Sequence, residues 1–273
     1  MSRADSSPFA VLGIDAAWTE RNPSGVALVE VRGESARAIF AAPSYASFCD
    51  GRRPDWTARQ TGGVGDPGAL LEAAQRLTSL PVRCVAVDMA LSRTPIVARR
   101  VADNETSRAF AREWCGTHSP SAARPGRVSD LLRDGFTSRG FRLAVKGERL
   151  PPDTLVEVHP HAALVRLLGE ERRLPYKLAR MRRYNADAPR EDQKRLLLET
   201  WRRIIKAIDA EVNGAAALLP ADYASLRPSR LKAVEDTLDA IVCAWIGAEV
   251  MRGRAEAFGD ETAAIWVPRP RGA

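Results

Sequence analysis

The stretch FAVLGID, Phe9 to Asp15, constrains the fold of this chain more than any other. Its apolar run is nearly unbroken, as in a strand covered on both faces, and such strands belong to sheets with helices on either side. The run finishes on a carboxylate, which is costly to bury without a partner or a metal. A central strand ending on Asp15 therefore ends either in a turn or in a site.

The segments downstream of Asp15 fix the class. Turn chemistry at NPSG leads into GVALVEV (Gly25 to Val31), and RGES leads into ARAIFAAP (Ala36 to Pro43), so the chain opens with an antiparallel meander. Residues 44–65 read as a loop. Asp66 is an N-cap followed by Pro67 at the first helical position. VRCVAVDMAL (Val82 to Leu91) is a strong strand that carries Asp88 near its end. Asp103 is placed to cap a helix through NETSRAFAREW, with Phe110 and Trp114 on one face. TLVEVHP (Thr154 to Pro160) is a short strand, and AALVRLLGEER a helix. Arg190 to Val212 is a charged amphipathic helix with Leu197, Trp201, Ile204 and Ile208 at helical spacing. Leu231 to Arg252 is a long last helix. This order predicts an α/β fold with a mixed five-stranded sheet flanked by helices. The length of 273 residues suits one domain. It is expected over 9–252, with a basic helical insertion at about 166–229 before the last helix and disordered tails at 1–8 and 267–273.

Acids recur where ligand sites form. If the strands ending at Asp15 and Asp88 are adjacent and parallel, their C-terminal ends share the edge where α/β sheets bind ligands. Neighbouring strands are about 4.8 Å apart, so the two carboxylates can share one ion. Asp236 and Asp239, three apart in EDTLDAIVCAW, are surface neighbours on the last helix. The apolar stripe through Leu231, Val234, Leu238 and Ile241 puts Asp239 at its rim and Asp236 further round. Glu157 ends another predicted strand and joins the same edge. Clustered carboxylates without Cys or His favour Mg²⁺ or Mn²⁺. His159 and His161 straddle Pro160 and read as loop residues.

Charge points to the partner. From Arg166 to Lys206 the chain holds 13 Lys and Arg against 6 Asp and Glu, which accounts for the whole net charge of +7. A local basic segment is the footprint of a phosphate-binding surface. Arg180 and Arg183 are its candidates for substrate contact, with Arg93, Arg127 and Lys146 nearer the expected cleft. No apolar run approaches the roughly 20 residues that span a bilayer, and MSRADSSPFA lacks the apolar core of a secretory signal. The expectation is a cytoplasmic protein with reduced cysteines and a nucleic-acid partner. A dimer is left open.

GIDAAW followed by SGVALVEV resembles the first hairpin of ribonuclease H-like folds with its leading catalytic aspartate, and VAVDMALS resembles their fourth strand with the second acid. DTLDAIVCAW resembles the Asp-x-x-Asp-Ala helix of RuvC-type Holliday junction resolvases. The GIDAAW start, VDMALS, RRVADNETSRAF, THSPSAARPG, EVHPHAAL and the DTLDA helix together resemble a bacterial family described as predicted RNase H-fold nucleases, domain of unknown function 429. The match spans most of residues 9 to 250. The resemblance implies metal-dependent phosphodiester cleavage through Asp15, Asp88, Asp236 and Asp239. The segment from Arg166 to Ser229 is longer than in minimal ribonuclease H domains, and no histidine just before the last helix offers an auxiliary base. Two other readings stand beside it. A non-catalytic module would bind nucleic acid or protein through the basic segment without metal. A sugar- or acid-kinase relative needs an Asp-x-Gly phosphate hairpin, whereas Asp15 is followed by Ala16, Ala17 and Trp18.

Overall fold

The computed structural model describes residues 7–270. Strands β1 (Phe9–Asp15), β2 (Gly25–Arg32) and β3 (Ser35–Ala42) form the expected antiparallel meander. Helix α1 (Tyr45–Asp50) stands where the sequence reading places only a loop; Ser44 caps it by accepting from the Ser47 amide. Helix α2 (Pro67–Leu77) starts as predicted, with the Asp66 carboxylate accepting from the amides of Gly68 and Ala69.

Strand β4 (Val82–Val87) lies parallel to β1, with Ile14 opposite Val87. Helix α3 (Val101–Ala109) stops short of Trp114, which sits exposed at a positive φ of 58°, so Phe110 and Trp114 do not share a helical face. Asp103 lies in the first turn of that helix, where its carboxylate accepts from the Arg100 amide. Helix α4 (Arg127–Thr137) and the two-residue strand β5 (Arg142–Leu143) follow. Strand β6 (Thr154–Val158) is parallel to β4, with Glu157 opposite Val87. Helices α5 (Pro160–Leu168), α6 (Met181–Tyr184), α7 (Arg190–Glu211) and α8 (Pro228–Met251) come next. Strands β7 (Ala255–Gly259) and β8 (Ala264–Pro268) close the chain order.

Among the described residues the sheet is mixed and has eight strands rather than five. Its order is β3-β2-β1-β4-β6-β8-β7, with β5 beside the start of β6. Strand β8 takes its place parallel to β6 at Glu157 and Val158. The sheet thus reaches past residue 252, where the sequence reading closes the domain, and residues 267 and 268 are strand rather than tail. The tails at 1–6 and 271–273 lie outside the described residues.

Side chains of β1 alternate between two cores. Ala10, Leu12 and Ile14 pack with α2 and α4, and Val11 packs with α5, α7 and α8. Helix α8 is buried all round from Val234 to Val250, so it behaves as a core helix rather than an amphipathic one. Its approach to the sheet is extremely close. A Cβ at Gly13 would fall 2.3 Å from the Ala240 carbonyl oxygen, and one at Gly25 would fall 2.0 Å from that of Asp236. Only glycine at these two positions lets the helix lie there. The basic segment is not a satellite: Trp201 of α7 is fully buried and donates to the Tyr176 carbonyl at 2.7 Å.

Candidate functional site

The close seating of α8 brings its acids to the edge where β1 and β4 end. Asp15 closes β1, and the Asp88 amide donates to the Ile14 carbonyl at 2.9 Å, so the two carboxylates stand side by side. Ser24 fixes the turn after Asp15 by accepting from the Ala17 amide at 3.0 Å. Asp15, Asp88, Glu235 and Asp236 line one cleft of about 590 Å³. Asp239 lies just beneath, fully buried, and accepts from the Tyr176 hydroxyl at 2.7 Å.

Two lysines neutralise part of this charge. Lys177 pairs with Asp239 and reaches Glu235 at 3.8 Å. Lys232 pairs with Asp236 and with Glu235 at 2.8 Å. The Leu178 amide also donates to Glu235 at 2.5 Å. Asp15 and Asp88 differ from these three acids. Among the described residues no donor is bonded to either carboxylate, although both lie deep in the cleft. Burial, reinforced by Asp236 and Glu235 against the pull of Lys177 and Lys232, pushes the Asp15 carboxyl up to about 7. Burial and the neighbouring Asp15 hold Asp88 well above the ordinary range. Asp236 and Asp239 are each pushed up to about 6, again chiefly by burial and against their lysine partners. The cluster therefore carries more carboxylates than local cations and relieves the excess by holding protons.

Glu157 reaches the predicted edge but has a different task. The Arg100 guanidinium grips both its oxygens, at 2.6 and 2.7 Å, and the Leu91 amide adds a bond of 2.7 Å. These three bonds and the guanidinium charge neutralise Glu157 and occupy most of its lone pairs. Arg100 also holds Asp103 and the Leu91 carbonyl, so the pair fastens the segment after β4 to β6.

The predicted substrate contacts divide. Arg180 lines the cleft. Arg93 turns away to pair with Glu148 at 2.7 Å, and Lys146 pairs with Glu105 at 2.8 Å. Arg127 is exposed in the first turn of α4, and Arg183 is exposed on α6; neither lines the cleft. Farther along the basic segment, Arg195 pairs with Asp192 and Glu199, and Arg203 with Glu170, so these two arginines of α7 are taken by carboxylates. The residues the sequence reading missed are Glu235, Lys177, Lys232, Arg100, Arg124 and Arg173. Glu235 adjoins Asp236 in sequence and was open to notice, as was Lys232, three and four residues before the two acids on the same helix; Lys177 declares itself only once the Tyr176–Leu178 segment lies against α8. All three histidines of the chain, His118, His159 and His161, also line this cleft. The two after β6 are thus not free loop residues: His159 is bonded to the Cys115 carbonyl at 2.9 Å, and His161 is buried against Arg173.

The donor set suits a hard divalent ion, since every acid offers oxygen alone. Asp15 and Asp88 have free oxygens, and Asp236 or Asp239 would complete a shell on leaving its lysine. As the side chains stand, no group of three or more His, Cys, Asp or Glu among the described residues is arranged to hold a metal ion. The four cysteines are free thiols. Among the described residues no helix is long and apolar enough to cross a membrane. A family model described as "Protein of unknown function (DUF429)" matches residues 13–264. No curated protein and no solved structure matches the chain.

Proposed function

The chain belongs to the DUF429 family, and from that premise we propose that it is a divalent-metal-dependent nuclease of ribonuclease H-like type. One observation carries the proposal: Asp15 and Asp88 stand side by side, without donors among the described residues, at the ends of adjacent parallel strands above the acids of α8. The leading hairpin that begins with Asp15, and the neighbouring strand that delivers Asp88, support the ribonuclease H-like reading. Mg²⁺ or Mn²⁺ held by Asp15, Asp88 and Asp236 or Asp239 would supply Lewis-acid stabilisation of a phosphoryl group and a nucleophile from water. The chain's own residues do the rest. Asp15 exchanges a proton near neutral pH at its free carboxylate. Lys177 and Lys232 keep the helix acids in place. Arg180 and its neighbours at the mouth draw in phosphate.

The test is cleavage of labelled single-stranded, duplex, hybrid and branched substrates with Mn²⁺ or with EDTA. Cleavage in Mn²⁺ that is lost in EDTA and in Asp15→Asn is expected; cleavage indifferent to both would overturn the assignment. A second reading is favoured by Lys177 and Lys232 themselves. Because they already occupy three of the acids, the cleft can also serve a binding module that takes nucleic acid or protein without metal. That reading predicts binding unchanged by EDTA and no cleavage of any substrate.

A further inference from the structure

The acids fill only one part of the cleft. Elsewhere it is lined by Trp18, His118, Arg124, Arg173 and Arg180. Lys177 lines the cleft as well, so four cations, Arg124, Arg173, Arg180 and Lys177, share it with the His118 imidazole, and all four act on that ring. Arg124 and Arg180 are exposed at the mouth, and among the described residues neither guanidinium has a carboxylate partner or a side-chain hydrogen bond. Arg173 is bonded to His161 and leaves its Nε buried without an acceptor; His161 Nδ1 is buried without a partner as well. Arg124 lies 5.9 Å from the centre of the Trp18 ring, which in turn meets His118 edge-on at 5.9 Å.

Arg124 and Arg180 differ in this lack of a carboxylate partner from Arg195, Arg203, Arg93 and Arg100, whose guanidiniums are taken by carboxylates. Their planar forks match the oxygens of phosphate, and an aromatic ring beside them offers a face for a base. Three guanidiniums suit a doubly charged monoester better than a singly charged diester; a phosphate monoester carries about −1.5 to −2 at neutral pH. The cleft volume of about 590 Å³ falls in the range of small-ligand sites, roughly 300–1,000 Å³. Burial and the same arginines depress His118, so it serves as a neutral hydrogen-bonding group rather than a fourth fixed charge.

We propose that Arg124, Arg173 and Arg180, grouped around His118 beside Trp18, form a subsite for a phosphate monoester, so that the preferred ligand is a nucleotide or a strand terminus carrying one. The choice of a nucleic-acid terminus rests on the nuclease reading; the anion subsite stands on Arg124 and Arg180, which lack a carboxylate partner among the described residues, and on Arg173, whose Nε has no acceptor. Arg99 holds this wall in shape. Its guanidinium donates to Ser119 at 2.8 Å, to Ser107 at 2.5 Å and to Thr117 at 3.3 Å, so both neighbours of His118 are tied to α3.

The test is isothermal titration of the whole protein in EDTA with four probes: deoxyadenosine 5′-monophosphate, deoxyadenosine, cyclic adenosine 3′,5′-monophosphate and inorganic phosphate. The monophosphate is expected to bind at least tenfold more tightly than the nucleoside and the cyclic diester. Arg124→Met and Arg180→Met, both at exposed positions, are each expected to weaken it at least tenfold without moving Tm. Inorganic phosphate binding as tightly as the monophosphate would confine the site to the free anion and overturn the nucleotide part. Equal binding of monophosphate and nucleoside, no binding, or indifference to both substitutions would overturn the subsite. Metal-dependent cleavage without monophosphate binding leaves the nuclease reading standing and removes this one. Monophosphate binding without cleavage of any substrate does the reverse.

Discussion

Lys177 contributes one ammonium to a pocket in which Asp239 is fully buried and Glu235 nearly so. Replacing it by methionine keeps the stem and leaves Asp239 in a dry setting with only the Tyr176 hydroxyl, while Glu235 keeps Lys232 and the Leu178 amide. Breaking a buried ion pair from one side costs about 3–5 kcal/mol, because the remaining charge is left uncompensated. Lys177→Met is therefore expected to lower the urea midpoint sharply at pH 8, and to lower it less at pH 5, where Asp239 takes up a proton. Equal losses at the two pH values would show that packing, rather than charge, is what Lys177 supplies. The two acids that lack a donor follow the opposite logic. Burial pushes the Asp15 carboxyl up to about 7, so Asp15→Asn is expected to remove a liability as well as a ligand. Losing activity while gaining stability is the trade-off expected at a strained site.

At the scale of elements, the decisive contact is α8 on β1. Gly13→Ala puts a methyl into the helix backbone at Ala240 and Ala244. Overpacking of this kind costs about 1–3 kcal/mol, and here it also lifts Asp236 and Asp239 away from Asp15. The expected result is a lower Tm together with weaker Mn²⁺ binding; a drop in Tm with metal affinity intact would separate the seating of α8 from the site. The first hairpin, β4, β6, α7 and α8 were all legible in the sequence, because apolar runs and turn residues mark them. Strands β7 and β8 were not. AEAFG and AIWVP are short, follow the longest helix and lead into a Pro- and Arg-rich end, so nothing local distinguishes them from a tail. Helix α4 escaped notice because Gly135 interrupts RVSDLLRDGFT and Gly126, at its N-cap, offers no side chain to cap it. The convergence of Asp15 with Asp88 could be read from strand ends alone. The pairing of Arg93 with Glu148 and of Lys146 with Glu105 could not, since charge in a sequence does not say which partner it will meet.

The whole molecule integrates these shifts in its response to pH. A carboxyl raised in the folded state stabilises the fold below its unfolded pKa, and that contribution is lost as pH climbs through the folded value. For Asp15, with a folded value of about 7, the loss runs from about pH 4 to slightly alkaline pH. Asp236 and Asp239, at about 6, complete theirs earlier. The buried histidines act the other way. His159, held down to about 4 by burial, costs stability as pH falls below the ordinary histidine range. Between pH 4 and 6.5 the two effects oppose each other; above about 6.5 the histidine effect is spent, and Asp15, with the neighbouring Asp88 also held high, sets the slope. The metal-free protein is accordingly expected to lose Tm between pH 6.5 and 8, and Asp15→Asn is expected to flatten that slope. At about 2–4 °C per kcal/mol for a chain of this size, calorimetry resolves the difference. Added Mn²⁺ is expected to raise Tm more at pH 8 than at pH 6.5, since it binds only the deprotonated cluster. A Tm that Mn²⁺ leaves unmoved at both pH values would speak for the metal-free binding module.

The seat of β8 beside β6 has a consequence for how the protein is made. The ribosome delivers Glu157 and its strand long before Ile265 and Trp266, which close that strand's open edge and finish one wall of the pocket. Translation therefore runs through α8 with every acid of the site in hand and no finished cavity to hold them. A message cut short ahead of β8 yields a chain with an exposed sheet edge, a substrate for chaperones and proteases rather than a smaller working copy.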